Sequence, residues 1–300
     1  MKYILSNETN QKFVLDKEYW SFKNLDKFLE YFLASYDQRF KDMDYTFNIY
    51  DIQDLNIPPP NKNELNVMVC MENCLFHKHY KHYNEYGDYG DKNIQIYIYN
   101  HIDKVVKTDT YIAIPLLWFR FAYLERYYDT MKPPVIRKKT QQKHGILMTD
   151  NHLNKDVKHM LFLTLSKVGQ TFTMKQFKSQ MYYESIWLTD RFLDFINVFR
   201  FAIVCENSEA PGYITEKLLQ CYHARVVPIY WGNEPEKYFE EGSFINAKNY
   251  NVKQLYEKLV ELNKNDESYD QIINHKKLKN PGVDYFAELV DFVKQWFETN

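Results

Sequence analysis

Apolar and polar positions in the second half of the chain alternate between strand-like and helix-like patterns. Residues 146–148 form a short apolar run, and residues 157–165 and 190–199 have the three- and four-residue spacing of buried helix faces. The segment 201–232, FAIVCENSEAPGYITEKLLQCYHARVVPIYWG, passes from an apolar run through a polar loop and a charged helix to a second apolar run. This alternation predicts a parallel sheet covered on both faces. Two further helices are expected, over residues 252–262 and 285–297.

The first half has a second set of predicted elements. Helical spacing around residues 25–32 is followed by apolar segments that are typical of strands, at 45–50, 65–70, 94–99 and 111–117. Near residues 131–143 the composition shifts to two prolines and a basic cluster, which indicates a connection between domains. We therefore predict an N-terminal domain over residues 1–135 and a C-terminal domain over 136–300, with the last helix free to pack back on the first domain.

Composition narrows the function only slightly. The chain has 300 residues, 38 basic and 40 acidic, and its net charge of -2 argues against a nucleic-acid-binding surface. Its 26 Tyr and 21 Phe suit stacking on sugar rings, although AT-rich coding produces the same bias. Four cysteines without a CxxC pair indicate a reducing compartment. No signal peptide or transmembrane stretch is visible in the sequence, so we expect a cytoplasmic protein without a membrane span.

Polar side chains gather in the loop that follows the apolar run beginning at Phe201. Asn207 and Tyr213 supply hydrogen-bond donors and acceptors, Glu216 supplies a carboxylate and Lys217 a cation. A carboxylate can accept from both hydroxyls of a sugar diol, and a lysine at a helix N-terminus favours a diphosphate. The set suits a nucleotide-sugar, but a solvated first helical turn explains the Glu-Lys pair equally well.

Three motifs in this region occur at fixed spacing: ENS at 206–208, GYITEKL at 212–218 and VPIYWG at 227–232. Together they resemble the signature of the α1,3/α1,4-fucosyltransferase family, with bacterial members closest. The resemblance implies an α/β fold of the GT-B type, in which two Rossmann-like domains with mostly parallel sheets face a central cleft. It also implies an inverting transfer of fucose from GDP-fucose to a hydroxyl of an N-acetylglucosamine- or glucose-containing glycan, with an α1,3-linkage favoured.

The resemblance assigns roles to five residues. Asn207, Tyr213, Glu216 and Lys217 fall on positions that bind the GDP-fucose donor. Glu72, in the segment VCMEN at 69–73, falls on the position of the proposed general base. A base of this kind deprotonates the acceptor hydroxyl on the face of the sugar opposite the departing diphosphate.

Some positions depart from the family pattern. Lys158 aligns with an arginine that the family places on the diphosphate, and lysine keeps the charge but loses the bidentate fork. Three explanations stay open: the alignment is displaced, the donor is bound more weakly, or another residue such as Lys155 or Arg200 helps. Met71 replaces the usual glycine before the base, and Cys205 replaces the usual phenylalanine.

Two groups of residues resemble metal sites. Histidines at 77, 79 and 82 lie near acids, but the segment fits a solvated loop better, and Asp42 and Asp44 fit a surface turn. The resemblance implies no metal site and no required cofactor, with divalent ions such as Mn²⁺ or Mg²⁺ only as stimulants. The expected partners are a nucleotide-sugar donor and an oligosaccharide acceptor.

Two other functions stay open at this point. One is the same fold with another nucleotide-sugar donor or another acceptor. The other is a catalytically silent glycan-binding protein.

Overall fold

The computed structural model describes a large part of the chain, namely residues 2–5, 46–51, 57–70, 93–99, 106–107, 111–113, 143–148, 155–177, 195–207, 209, 213–215, 217–279 and 285–299. The chain divides into two compact units. The first comprises Met1–Leu124, Ala210–Tyr213 and Val283–Asn300, and the second comprises Glu125–Glu209 and Ile214–Gly282. The sequence-based division into 1–135 and 136–300 stays a prediction.

The first unit contains a six-stranded sheet. Its strands are β1 (Lys2–Leu5), β2 (Thr46–Asp51), β3 (Glu64–Cys70), β4 (Ile96–Tyr99), β5 (Val106–Lys107) and β6 (Tyr111–Ala113). Across the sheet they follow the order β1-β2-β3-β4-β6-β5, and every neighbouring pair is parallel except β5 with β6. Buried apolar residues such as Leu65, Val67 and Ile96 form its core. The strands predicted at 45–50, 65–70 and 94–99 are confirmed within two residues at each end.

The second unit contains a five-stranded sheet in which all pairs are parallel. Its strands are β7 (Lys143–Leu147), β8 (Thr171–Thr173), β9 (Phe199–Cys205), β10 (Val227–Trp231) and β11 (Ile245–Asn246), in the spatial order β11-β10-β9-β7-β8. The central strand β9 has the sequence FRFAIVC, and all seven of its residues are buried. A nearly continuous apolar run is what a parallel strand covered on both faces requires.

Five α-helices lie in the described part of the chain. They are α1 (Lys155–Ser166), α2 (Lys217–His223), α3 (Val252–Lys264), α4 (Asp266–Asn274) and α5 (Tyr285–Thr299). Asn251 caps α3 in a reciprocal capping box with Gln254, and Asn265 caps α4 by accepting from Glu267 and Ser268. The apolar faces of α1 and α3 pack with β9 and β10 in one core, through Leu161, Leu165, Leu255, Leu259 and Leu262.

Most of the helices predicted from the sequence agree with the structure, and one prediction is wrong at its end. The helices predicted at 157–165, 252–262 and 285–297 are confirmed, and each is slightly longer than its pattern. The helix predicted over 190–199 is wrong at its end, because Phe199 begins β9 and packs edge-on against Phe172, Phe177 and Phe195. Short elements such as α4, β8 and β11 were missed, since few residues carry their periodicity.

Other predictions concern residues outside the described part of the chain. These include the helix around residues 25–32, the histidine cluster at 77–82, the Asp42 and Asp44 pair and most of the connection at 131–143. Among the helices that the structure describes, none combines the length and the apolar character needed to cross a bilayer.

Candidate functional site

The carboxyl ends of β9 and β10 lie side by side at one edge of the second sheet. Cys205 is in register with Trp231, and the backbone N–H of Glu206 donates to the carbonyl oxygen of Trp231 at 2.9 Å. Beyond this edge the chain continues into Glu206 and Asn207 on one side and Gly232 on the other. Ligands of open α/β sheets bind outside the carboxyl ends of the strands. The candidate site is therefore built here.

Glu206 is the most deeply buried charged residue at this edge, with no exposed surface. Its Oε1 accepts from the backbone N–H of Thr215 at 2.9 Å and from the Tyr230 hydroxyl at 3.2 Å. Its Oε2 accepts from the Thr215 hydroxyl at 2.8 Å and from the Lys217 ammonium at 2.8 Å. Burying an isolated carboxylate is costly, and these donors together with the paired cation offset that cost.

Gly232 makes room for one of these donors. A Cβ built at this position would overlap the hydroxyl and ring of Tyr230. Tyr230 is fully buried, and burial together with the nearby Glu206 carboxylate raises the pKa of its hydroxyl well above the ordinary value. The hydroxyl therefore stays protonated and acts as a donor to Glu206. The glycine after β10 thus serves the close approach of a side chain to the buried acid.

Two buried lysines lie near the same point of the sheet. Lys158 on α1 is 5% exposed and Lys217 at the start of α2 is 8% exposed. Burial raises the pKa of the Cys205 thiol to about 12, and the charges of Lys158 and Lys217 act on it in the opposite direction. Lys158 lies near the start of the helix that follows β7, the strand next to β9, and the Lys217 ammonium lies 2.8 Å from Glu206, the residue directly after β9. Among its described residues, the edge thus carries two buried lysines and one buried acid.

A second polar cluster, formed by Glu209, Trp231 and Lys248, lies at the ends of β10 and β11. Trp231 Nε1 donates to Glu209 Oε1 at 2.7 Å, and Lys248 Nζ donates to Glu209 Oε2 at 3.1 Å. The Lys248 ammonium also lies 5.3 Å from the centroid of the Trp231 ring. Burial raises the pKa of the Glu209 carboxyl, but the bonds from Trp231 and Lys248 outweigh it and leave the pKa below its ordinary value. The cluster ties the loop after β9 to two neighbouring strands.

The structure describes four of the six predicted site residues. Lys217 and Lys158 lie at the sheet edge as set out above, Asn207 is half-buried directly after Glu206, and Tyr213 is 2% exposed. Glu72 and Glu216 lie outside the described residues. The roles of all six in donor binding or catalysis stay predictions.

Arg200 does not lie at this edge, so it does not replace the arginine that the family pattern has at the position of Lys158. It lies near the start of β9, at the opposite end of the strand, where its guanidinium stacks on Tyr269 and contacts Asp266 at 3.5 Å. Lys155, by contrast, is the exposed first residue of α1. Within the described ranges, no group of three or more His, Cys, Asp or Glu side chains could hold a metal ion.

Sequence reasoning placed Glu206 in the loop but gave it no role, and it missed Thr215 and Tyr230. An acid directly after an almost continuously apolar strand is the signal that could have identified Glu206 as buried. Thr215 and Tyr230 carry no comparable signal, because their contacts depend on how the loop closes.

Comparison with known proteins places this architecture in a defined group. The chain resembles crystal structures of α1,3-fucosyltransferase, one with GDP-fucose and one without, each with a TM-score of 0.60 over 99% of this chain and 90% of the other, at 18% and 16% identity. This likeness shows that the chain shares their α/β fold. The fold class predicted from the sequence, α/β of the GT-B type, is thereby confirmed.

Sequence matches define the family. Residues 139–289 match glycosyltransferase family 10 (fucosyltransferase), C-terminal part, and the chain belongs to this family. It is 32% identical over 106 residues to the α-(1,3)-fucosyltransferase FucT of Helicobacter pylori, and 31% identical over 119 residues to the putative fucosyltransferase R654 of Acanthamoeba polyphaga mimivirus. These matches cover 34% and 39% of this chain, and 22% and 20% of the relatives' own length.

Proposed function

We propose that the protein transfers fucose from GDP-fucose to a hydroxyl of an N-acetylglucosamine- or glucose-containing glycan, with inversion and an α1,3-linkage. The observation that carries the proposal is the pair of buried lysines, Lys158 and Lys217, beside the end of β9 within the segment that matches family 10. Buried cations at the ligand edge of a parallel sheet suit a diphosphate. Both relatives are named as fucosyltransferases, which supports fucose as the transferred sugar.

The donor is held chiefly through charge in this proposal. Lys217 and Lys158 face the diphosphate, and Asn207, Tyr213 and Glu216 bind the fucose and the ribose. As the glycosidic bond breaks, negative charge accumulates on the departing GDP, and cations fixed in a site that excludes water lower the barrier by electrostatic preorganisation. Two lysines in these positions would supply the neutralisation that other transferases obtain from a bound metal ion.

The acceptor is activated by Glu72. Inversion needs a single in-line displacement, so the base must take the proton of the acceptor hydroxyl on the face opposite the diphosphate. Proton transfer of this kind typically contributes ~10²–10⁴-fold in rate. The acceptor oxygen then forms the new bond to the anomeric carbon while the bond to the diphosphate breaks and GDP leaves.

A direct assay tests the proposal. The purified protein is incubated with GDP-fucose and N-acetyllactosamine, and the product is identified by mass spectrometry and its linkage and anomeric configuration by NMR. The expected product carries an α-linked fucose on O3 of N-acetylglucosamine, formed from β-linked GDP-fucose. Glu72→Gln should abolish transfer while GDP-fucose still binds. Full activity in that variant would refute the base assignment.

A different nucleotide-sugar is the second candidate, and the lysine at position 158 favours it, since the family pattern has an arginine there. A thermal-shift screen of GDP-fucose, GDP-mannose and UDP-sugars separates the two. Stabilisation by GDP-mannose or a UDP-sugar, without stabilisation by GDP-fucose, would replace the proposed donor.

Independence from metal ions is part of the proposal. We expect transfer in the presence of EDTA, with Mn²⁺ or Mg²⁺ only increasing its rate. Glycan binding without any release of GDP would instead indicate a silent glycan-binding protein.

A further inference from the structure

We propose that Glu206 is a positioning residue that holds the Lys217 ammonium in place for the diphosphate and keeps it charged. This inference rests on the proposed function, because it concerns how the donor site is kept in its binding geometry. No exposed surface remains on Glu206, so its carboxylate reaches the donor only through its neighbours.

The geometry fixes the lysine from two sides. The Lys217 ammonium donates to Glu206 Oε2 at 2.8 Å and to the Thr215 hydroxyl at 2.7 Å, and that hydroxyl in turn donates to the same carboxylate oxygen at 2.8 Å. A lysine side chain has several rotatable bonds and loses considerable freedom when it is held in one geometry. Here the carboxylate imposes that geometry before any ligand arrives, so less ordering remains to be done on binding.

The carboxylate itself is fixed by the loop and by the next strand. Its other oxygen accepts from the Thr215 backbone N–H and from the Tyr230 hydroxyl, which anchor it to the end of the loop and to β10. Glu206 thus joins the end of β9, the residues before α2 and β10 at one point. A displacement of the Glu206 carboxylate would move the lysine with it.

The second part of the proposal concerns charge. Burial disfavours an ammonium that has no counter-charge, because the neutral amine is easier to desolvate. Among the described residues, the charged or titratable groups at this point include Lys158 on α1, Cys205 on β9, Glu209 in the loop, Tyr222 on α2 and Tyr230 on β10. Lys158 is itself a cation and offers Lys217 no counter-charge, and Glu209 is bonded to Trp231 and Lys248. Glu206 is an acid in direct contact with the Lys217 ammonium, at 2.8 Å.

The experiment compares GDP-fucose binding to the wild type and to Glu206→Gln by calorimetry. The diphosphate of GDP-fucose does not titrate in this range and its guanine N1–H titrates identically in every sample, so a change with pH in the ratio of variant to wild-type affinity reports on the protein. At about pH 6.5 the variant should bind about tenfold more weakly than the wild type, the loss typical of one charged hydrogen bond. Between about pH 6.5 and about pH 9 its affinity should fall further, by about another tenfold, as the lysine loses its proton more easily without the Glu206 carboxylate. The wild type should stay nearly constant.

Two matched variants distinguish a loss of lysine positioning from a general disturbance of the fold. Glu206→Asp keeps the negative charge but shortens the side chain by one methylene, which moves the carboxylate away from Lys217. The affinity for GDP-fucose should therefore fall, but it should remain independent of pH. Tyr222→Phe removes a hydroxyl that bonds Ser243 at 2.8 Å and not Glu206, and it should leave binding unchanged at both pH values. Wild-type affinity for Glu206→Gln at both pH values, or an equal loss at both, would overturn the proposal.

If Glu206→Gln folds poorly, the affinity of Glu206→Asp for GDP-fucose tests the positioning role. Wild-type affinity in that variant would then overturn the positioning role. The ion pair itself can be tested without any ligand, by measuring Tm for Glu206→Gln, Lys217→Met and the double variant. If the two residues form a pair, the Tm loss of the double variant should be smaller than the sum of the two single losses. Wild-type protein that binds no GDP-fucose, together with a clear coupling in Tm, would refute the proposed donor but leave the pair standing. Additive Tm losses would refute the pair.

Discussion

The Lys217 ammonium lies 2.8 Å from Oε2 of Glu206, a carboxylate with no exposed surface, although the two residues are 11 positions apart in the sequence. The contact closes the loop between β9 and α2 at the edge of the sheet where ligands are expected. It makes the lysine both a structural partner of a buried acid and the proposed contact of a diphosphate. Variants of Lys217 should therefore affect stability and binding together.

Lys217→Met should lower both the stability and the donor affinity of the protein. Removal of one partner of a buried pair typically costs ~3–5 kcal/mol, because the remaining charge is left buried. We expect a loss of that order in the free energy of unfolding, measured by urea denaturation, and GDP binding weaker by about tenfold or more. Lys253→Met is the control, since Lys253 pairs with Glu257 at 3.8 Å on the exposed face of α3. Unchanged GDP affinity in Lys217→Met would exclude the lysine from the diphosphate.

Lys158→Met should weaken GDP-fucose binding, whereas Lys158→Arg should retain or improve it. The arginine restores the planar fork that pairs with two phosphate oxygens, provided that the larger head fits a position where lysine is 5% exposed. Calorimetric titration with GDP measures both effects. Lys155→Met, at the exposed first residue of α1, should leave the affinity unchanged. Equal affinities for the wild type and Lys158→Met would place the diphosphate elsewhere.

Gly232→Ala should disturb the buried acid without changing any charge. The added methyl would overlap the Tyr230 hydroxyl and displace it from Glu206. We expect a loss of ~1–3 kcal/mol in the free energy of unfolding, because the displaced hydroxyl and its acceptor lose a buried hydrogen bond. Tyr230→Phe in the alanine background should then add little further loss. An alanine variant as stable as the wild type would mean that Tyr230 moves without cost.

Lys248→Met should loosen the attachment of the loop to β10 and β11. Its ammonium and the Trp231 indole both donate to Glu209, so the variant removes one of two anchors and the cation that faces the indole ring. The KM for GDP-fucose should rise a few-fold while kcat changes little, because the loop is less ordered before binding. Lys258→Met, which breaks an exposed pair with Glu261, is the control. A fall in kcat at unchanged KM would contradict this positioning role.

The buried thiols make the protein less stable at high pH. Burial raises the pKa of Cys205 to about 12 and also raises the pKa of Cys221, so both thiols keep their protons in the folded protein. Thiols in the unfolded protein lose their protons at about pH 8.5. Above that pH the unfolded state therefore binds fewer protons than the folded state. The stabilisation is thus complete below that pH and is lost as the pH rises toward the folded-state pKa.

Urea denaturation under reducing conditions tests this relationship. Between about pH 8.5 and about pH 9.5, each buried thiol should lower the free energy of unfolding by up to ~1.4 kcal/mol per pH unit. Cys221→Ala removes one contribution, so the slope of stability against pH should become shallower even though a cavity lowers stability at every pH. Parallel slopes for the variant and the wild type would contradict the burial of this thiol.

Much of the fold could be predicted from the sequence, and the reason is visible in particular elements. The segment 201–232 has an apolar strand, a polar loop, a helix and a second apolar strand, and the structure has β9, α2 and β10 in that order. Prediction from hydrophobic periodicity fails where the pattern fits both a helix and a strand, or where the element is short. Phe199 continues a helical pattern but begins β9, because aromatic packing at the end of the sheet decides its conformation.

The candidate site was only partly predictable. Loop residues were identified because polar side chains follow an apolar strand, and Lys158 was identified through resemblance. The exclusion of Arg200 came from the structure, since its place at the opposite end of β9 depends on the direction of the strand within the sheet.

The sequence by itself determined the class of fold, the family and the set of charged residues near the end of β9, because periodicity and motif spacing are local properties of the chain. Tertiary structure alone decided how those charges are paired. Glu206 meets Lys217, Thr215 and Tyr230 only after the loop has closed against β10. The strength of such contacts depends on burial and on distances between residues far apart in the chain, and neither is encoded in local spacing.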